Sequence, residues 1–112
     1  MSTKTVQFNI SERVAAVGIL NQFKGALDKL AVVLEDIKQF RIDEGEWEKA
    51  ERKIEQTGND TQWTWNDEKG GLKDIAMQSE TLEYLKEEIK KRSDAGEFTL
   101  QDRPVITLNE KL

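Results

Sequence analysis

Leu20, Phe23, Leu27, Leu30, Leu34 and Ile37 recur at steps of three and four residues. That spacing puts all six on one stripe of an α-helix, and it constrains the fold more than any other feature of the chain. The segment SERVAAVGILNQFKGALDKLAVVLEDIKQF, residues 11–40, therefore reads as helix, with Ser11 as its cap and Glu12 in its first turn. The stripe runs straight through Gly25, which favours one long helix. Gly25 costs about 1 kcal/mol relative to alanine in a helix interior, and a break at Lys24-Gly25 is the alternative. Val14, Val17, Ile19, Val32 and Val33 widen the apolar surface beyond the stripe. Such a helix is central to the core or faces a second subunit, so the six stripe residues are the candidate interface of a homo-oligomer.

The other elements arrange themselves around this helix. In TVQFNI, residues 5–10, Val6, Phe8 and Ile10 alternate with Thr5, Gln7 and Asn9, the pattern of a half-buried strand. Asp43 followed by Glu46 forms a capping box, and Ile42 with Trp47 matches a hydrophobic staple. The helix so announced is predicted to run to about Gln56 and stop at Thr57-Gly58, with Glu48–Arg52 as an i,i+4 pair. Thr61, Trp63 and Trp65 alternate with polar residues as in a strand. Leu72–Met77 is predicted as the return strand across an Asn66–Gly71 turn. Ser79 is expected to cap a further helix that faces Leu82, Leu85 and Ile89 inward, carries the pair Glu88–Arg92 and ends at Gly96. In the tail, Thr99 and Asp102 suit one short turn, and Val105–Leu108 after Pro104 suits either an edge strand or a short helix. The predicted architecture is a single α+β domain over residues 1–112. It is mostly helical, with a long central helix, two shorter helices and a small antiparallel sheet.

Several chemistries are missing from the residue inventory. The chain has no cysteine and no histidine. Disulfides, thiol catalysis, zinc knuckles, the commonest general base and the commonest transition-metal ligand go with them. A serine nucleophile would have no imidazole partner. No P-loop, EF-hand or dinucleotide fingerprint is present. The expectation is a protein that is not an enzyme and needs no cofactor. Net charge is −5, with acidic and basic residues interleaved, so broad nucleic-acid binding is not expected. No apolar run approaches the roughly 20 residues of a membrane helix, and the first residues lack a signal-peptide core. A cytoplasmic location, with no membrane partner, is the matching expectation.

One stretch carries candidate binding chemistry: TQWTWNDEKGGLKD, residues 61–74. Trp63 and Trp65 fall on the same side of a strand. Their simplest job is to cover the helices as core. In a groove, the same rings stack on a nucleobase. Lys69 and Lys73 flank Gly70-Gly71, whose backbone amides can approach an anion, although a glycine pair more commonly serves a turn. Trp63, Trp65, Lys69, Gly70, Gly71 and Lys73 are thus the candidate site for a small anionic nucleotide. Glu44, Glu48, Glu51 and Glu55 would line one helix face, which reads as solvated surface in preference to a cation site.

The order of elements resembles small accessory proteins of tailed phages and prophages. The opening ISERVAAVGILNQFKGALDKLAVVLEDIKQF, the EGEWEKAE helix, the tryptophan turn and the close LQDRPVITLNEKL carry the likeness. The resemblance implies a binding protein in the host cytoplasm that binds a host protein or sequesters a host signal. Two functions follow from residues and resemblance together. The first is a non-enzymatic, homo-oligomeric binding protein acting on a partner macromolecule. The alternative is sequestration of a nucleotide-like signal molecule at Trp63, Trp65 and the Lys69-Gly70-Gly71 turn.

Overall fold

The apolar stripe of residues 20–37 does not lie on one helix. In the computed structural model, which describes residues 3–112 apart from the side chains of Thr57 and Gln101, the chain breaks between α1 (Ile10–Leu20) and α2 (Leu27–Phe40). This corrects the long central helix. Asn21 ends α1, and the amides of Gln22 and Phe23 bond back to Ile19 and Leu20 in a tight turn. Phe23 folds its ring edge-on against Tyr84, centroids 4.8 Å apart. A Cβ on Gly25 would stand 3.0 Å from Phe23 Cζ, so the glycine makes room for that ring.

The break re-faces α2. Val33, Asp36 and Phe40 are its buried residues. Leu20 is buried and Phe23 and Ile37 are partly buried against the core, while Leu27, Leu30 and Leu34 face solvent. Three of the six stripe positions are therefore internal, wholly or in part, and three form an exposed ridge.

The remaining elements are β1 (Thr3–Phe8), α3 (Glu44–Lys49), β2 (Lys53–Thr57), β3 (Asp60–Thr64), α4 (Asp67–Gly70), β4 (Lys73–Gln78), α5 (Ser79–Asp94), a 3-10 turn (Leu100–Asp102) and α6 (Pro104–Lys111). The fold is α+β and mostly helical. Among the described residues it has two antiparallel two-stranded sheets, β1–β4 and β2–β3. The pairing expected between 61–65 and 72–77 does not form. Instead β4 pairs with β1, Val6 opposite Ile75, and β3 pairs with β2, Trp63 opposite Ile54. Asn66–Gly71 is a helical turn, not a hairpin loop.

Helix ends differ from expectation in three places, each with a local cause. Asn9, not Ser11, caps α1, in a capping box with Glu12, so Ile10 is helical and buried. The cap on α3 is Asp43 with Glu46, as the sequence indicates, but the helix stops at Lys49 instead of Gln56. There Glu51 takes φ 55°, and the amides of Glu51 and Arg52 bond back to Glu48 and Trp47. This is the Schellman arrangement, usually built on glycine. At α5, Gln78 precedes the first residue and Ser79 makes no cap. Its far end is as expected: Gly96 at φ 68° closes a Schellman motif, its amide bonding to Ser93 and that of Glu97 to Arg92. Val105–Leu108 lies in α6, with Pro104 at the first turn.

The core gathers Phe8, Ala16, Ile19, Leu20, Val33, Phe40, Ile75, Met77, Leu85, Ile89, Val105 and Leu108. Phe8 and Phe40 stack, with centroids 5.7 Å apart. The outer edge of β4 is satisfied by α2. The Gln39 side-chain amide donates to the Ala76 carbonyl (2.7 Å) and accepts from its N–H (3.0 Å), and Asp36 accepts from the Gln78 N–H (2.9 Å). Two side chains thus stand in for a neighbouring strand on an edge that would otherwise be open. Lys111 closes α6 onto α1 by donating to the fully buried Glu12 (2.6 Å). Among the described residues no helix is long and apolar enough to cross a membrane.

Candidate functional site

The two tryptophans of TQWTW have different jobs. Trp65 lies just past β3, and its Nε1 donates to Ser11 Oγ and Asp67 Oδ1, both at 3.0 Å. Asp67 in turn accepts from the Ser11 N–H (3.0 Å) and Oγ (2.6 Å). The indole is therefore pinned to the first turn of α1. Trp63 sits within β3 and is 49% exposed, and its cross-strand partner Ile54 is 56% exposed. Trp63 is surface, not core.

A third tryptophan joins them. The Trp47 ring on α3 meets Trp65 edge-on at 5.3 Å and Trp63 at 6.3 Å. The Arg52 guanidinium stands 5.1 Å from the Trp47 centroid and 4.9 Å from that of Trp63. A cation held between two indole faces is attracted by both ring quadrupoles. Arg52 also reaches Glu44 (3.5 Å), not Glu48 as the i,i+4 spacing predicted, because the chain leaves the helix before Arg52. Neither Trp47 nor Arg52 belongs to the predicted site. The available signal was Gly58-Asn59, a two-residue hairpin loop between two alternating segments, which makes 53–64 one hairpin and brings Arg52 and Trp63 together.

These elements form a lobe over residues 43–70, anchored at its base. The Asn66 amide bonds to the Ala50 carbonyl (2.7 Å), where the hairpin leaves and rejoins the body. A Cβ on Gly70 would lie 2.6 Å from Ile10 Cδ1 and 3.2 Å from Ala50 Cβ, so only glycine lets α4 lie this close. Arg13, buried on α1, donates both to Glu46 and to the carbonyls of Phe40 and Arg41. Its hydrogen bond to Glu46 holds that carboxyl below the ordinary glutamate range. Above the base, β2 and β3 pack chiefly on each other.

The electrostatics of the lobe are distinctive. Residues 43–69 hold nine of the 22 acidic side chains and four of the 17 basic ones, a net −5 that equals the charge of the whole chain. The remainder of the molecule is balanced.

The other predicted site residues are placed as follows. Lys69 forms an ion pair with Glu51 (2.7 Å), which lowers the Glu51 pKa. The Lys69 amide bonds to Asn66 Oδ1, and those of Gly70 and Gly71 bond to the carbonyls of Asn66 and Asp67. All three amides are thus engaged within α4. Gly71 has φ 74°, the turn role expected of one member of the pair. Lys73 belongs to β4, opposite Phe8, and is not part of the lobe. Glu55 is on β2 while Glu44 and Glu48 are on α3, and among the described residues no carboxylates group as a metal site. No family model matches the chain, and neither a curated protein nor a solved structure matches it.

Proposed function

We propose that the protein is a non-enzymatic binding protein whose contact surface for a partner macromolecule is the Trp63–Ile54 face of the acidic lobe. The observation that carries this is the half-exposed Trp63, set beside exposed Ile54 and over Arg52 on a hairpin that the body does not cover. A large ring on a pre-ordered hairpin costs little entropy to bury, and tryptophan and arginine dominate interface hot spots. The lobe's net −5 charge selects the partner. A Lys- or Arg-rich segment of another protein would be drawn to it, with like-charged surfaces turned away. On this reading the chain is an accessory factor of the phage type, acting in the cytoplasm.

The test is a titration followed by tryptophan fluorescence and calorimetry. The panel holds a Lys/Arg-rich peptide, an Asp/Glu-rich peptide of equal length, and linear and cyclic nucleotides. The basic peptide should bind with salt-sensitive affinity. Trp63→Ala should weaken it by about 2 kcal/mol, roughly 30-fold, with the circular dichroism spectrum of the folded protein retained. Binding of a nucleotide in place of the peptide would favour signal sequestration. Equal affinity for wild type and Trp63→Ala would remove the proposed face.

A further inference from the structure

Leu27, Leu30 and Leu34 form an i, i+3, i+7 ridge on α2, and Leu27 is 81% exposed. This is the spacing by which an amphipathic helix seats in an apolar groove. The same chain carries such a groove. A cavity of about 650 Å³ opens between the second half of α5 and the segment ending in α6. Ile89, Phe98, Val105 and Leu112 line it, and so do Leu100 and Ile106, which are exposed. The volume and mainly apolar character are those of a ligand or helix site. One molecule's ridge cannot fill its own groove. α2 packs on α1, β4 and α5 through the side that buries Val33 and Phe40, and the leucines point away from it.

Charge gives the two surfaces a register. Beside the ridge lie Asp28, Glu35 and Lys38; along the α5 wall of the groove lie Lys86, Lys90 and Asp94. With α2 parallel to α5, the acidic pair meets Lys86 and Lys90, and Lys38 meets Asp94. At 1.5 Å per residue, 28–38 rises about 15 Å and 86–94 about 12 Å, within the reach of these side chains. Asp28, Lys86, Lys90 and Asp94 have no ion-pair partner among the described residues, whereas Glu35 and Lys38 pair with each other at 2.8 Å on the exposed side of α2 and exchange that contact for the ones across the groove.

We infer that the groove is the docking site for the α2 ridge of a second copy of this chain. The contact is heterologous, ridge to groove, so each bound molecule leaves one free ridge and one free groove, and assembly proceeds head to tail. A single helix in a groove covers less than the roughly 1,200–2,000 Å² of a stable interface, so assembly is weak and concentration-dependent. It is independent of the lobe, and Trp63→Ala leaves it unchanged.

Sedimentation velocity from low micromolar to near-millimolar protein tests this. The wild-type average mass should climb above the 12.9 kDa monomer. Leu30→Glu/Leu34→Glu removes the ridge and Leu100→Glu/Ile106→Glu removes the groove. Each variant alone should associate at least about tenfold more weakly. An equimolar mixture should restore one contact and stop at a 1:1 dimer, since the groove variant still offers a ridge and the ridge variant a groove. All four positions are exposed, so circular dichroism should match wild type. If a double variant unfolds, the single changes Leu27→Glu and Leu100→Glu take its place. A wild type that stays monomeric overturns the inference. A wild type that associates while the mixture does not also overturns it, and so does a groove variant that associates as well as wild type, the signature of a symmetric ridge-to-ridge dimer.

Discussion

Glu46→Gln probes how the chain holds a buried charge. Arg13 is 1% exposed and donates four hydrogen bonds, two to the Glu46 carboxylate and one each to the carbonyls of Phe40 and Arg41. The amide keeps the shape and one acceptor but removes the anion. Hydrogen bonds to charged groups contribute about 1.5–3 kcal/mol each, and stripping the partner from a buried ion costs about 3–5 kcal/mol. The Glu46 side chain is 21% exposed, which places the loss at the lower end, about 3 kcal/mol. The contact to the Asp43 N–H survives, because glutamine also serves in a capping box. Urea unfolding followed by tryptophan fluorescence should show the midpoint fall by roughly 1–3 M, at a slope of about 1–3 kcal/mol per molar. The pH dependence follows from the sign of the shift. The Arg13 hydrogen bond lowers the native Glu46 pKa, against an opposing effect of burial. The contribution is therefore complete above the ordinary glutamate range and is lost as pH falls through the lowered native value. Wild type and variant should differ fully at neutral pH and converge in acid. In an Arg13→Met background no buried cation remains, and Glu46→Gln should cost about 1 kcal/mol or less. A neutral-pH loss below about 1 kcal/mol, or an equal loss in both backgrounds, refutes the claim that Arg13 depends on the carboxylate.

Two further substitutions separate anchoring from contact in the lobe. Trp65→Phe removes the donor to Ser11 and Asp67 and should cost about 1–2 kcal/mol in thermal melts, whereas Trp63→Phe should stay within about 0.5 kcal/mol of wild type. Gly70→Ala drives a methyl into Ile10 and Ala50, both fully buried, and should cost about 1–3 kcal/mol, seen as a lower urea midpoint at unchanged slope.

What could be read from the residues divides along a physical line. Elements whose signals are local came out as expected: the Asp43–Glu46 cap, the inward face Leu82, Leu85 and Ile89, the pair Glu88–Arg92 at 3.2 Å, and the glycine close at Gly96. Features decided by tertiary competition did not. Six apolar residues at perfect helical spacing were split, because α2 buries Val33 and Phe40 against the sheet and turns its leucines outward. The end of α3 was hidden because Glu51 occupies the left-handed position where a glycine would have announced the stop. Strand pairing is non-local, so 72–77 found β1, far away in sequence, and left 60–64 to its nearer neighbour. Of the candidate site, the Trp63 and Trp65 strand spacing was legible. That one ring would be pinned and the other exposed depended on Ser11, more than fifty residues distant.

The hydrogen bond between Asn66 and Ala50 has an evolutionary consequence. It closes the loop of chain 51–65 at its neck, where Trp65 is also pinned to Ser11 and Asp67 and Glu51 to Lys69, so the attachments of the hairpin gather at its base. Its turn and the described side chains of both strands are solvent-facing, and none of them belongs to the core. Such a segment is free to drift, lengthen or be exchanged while the helices beneath stay constant. Residues 53–62, between Arg52 and the two anchored or ring-packed tryptophans, therefore behave as a replaceable cartridge: selection for a new partner can rewrite them without refolding the rest.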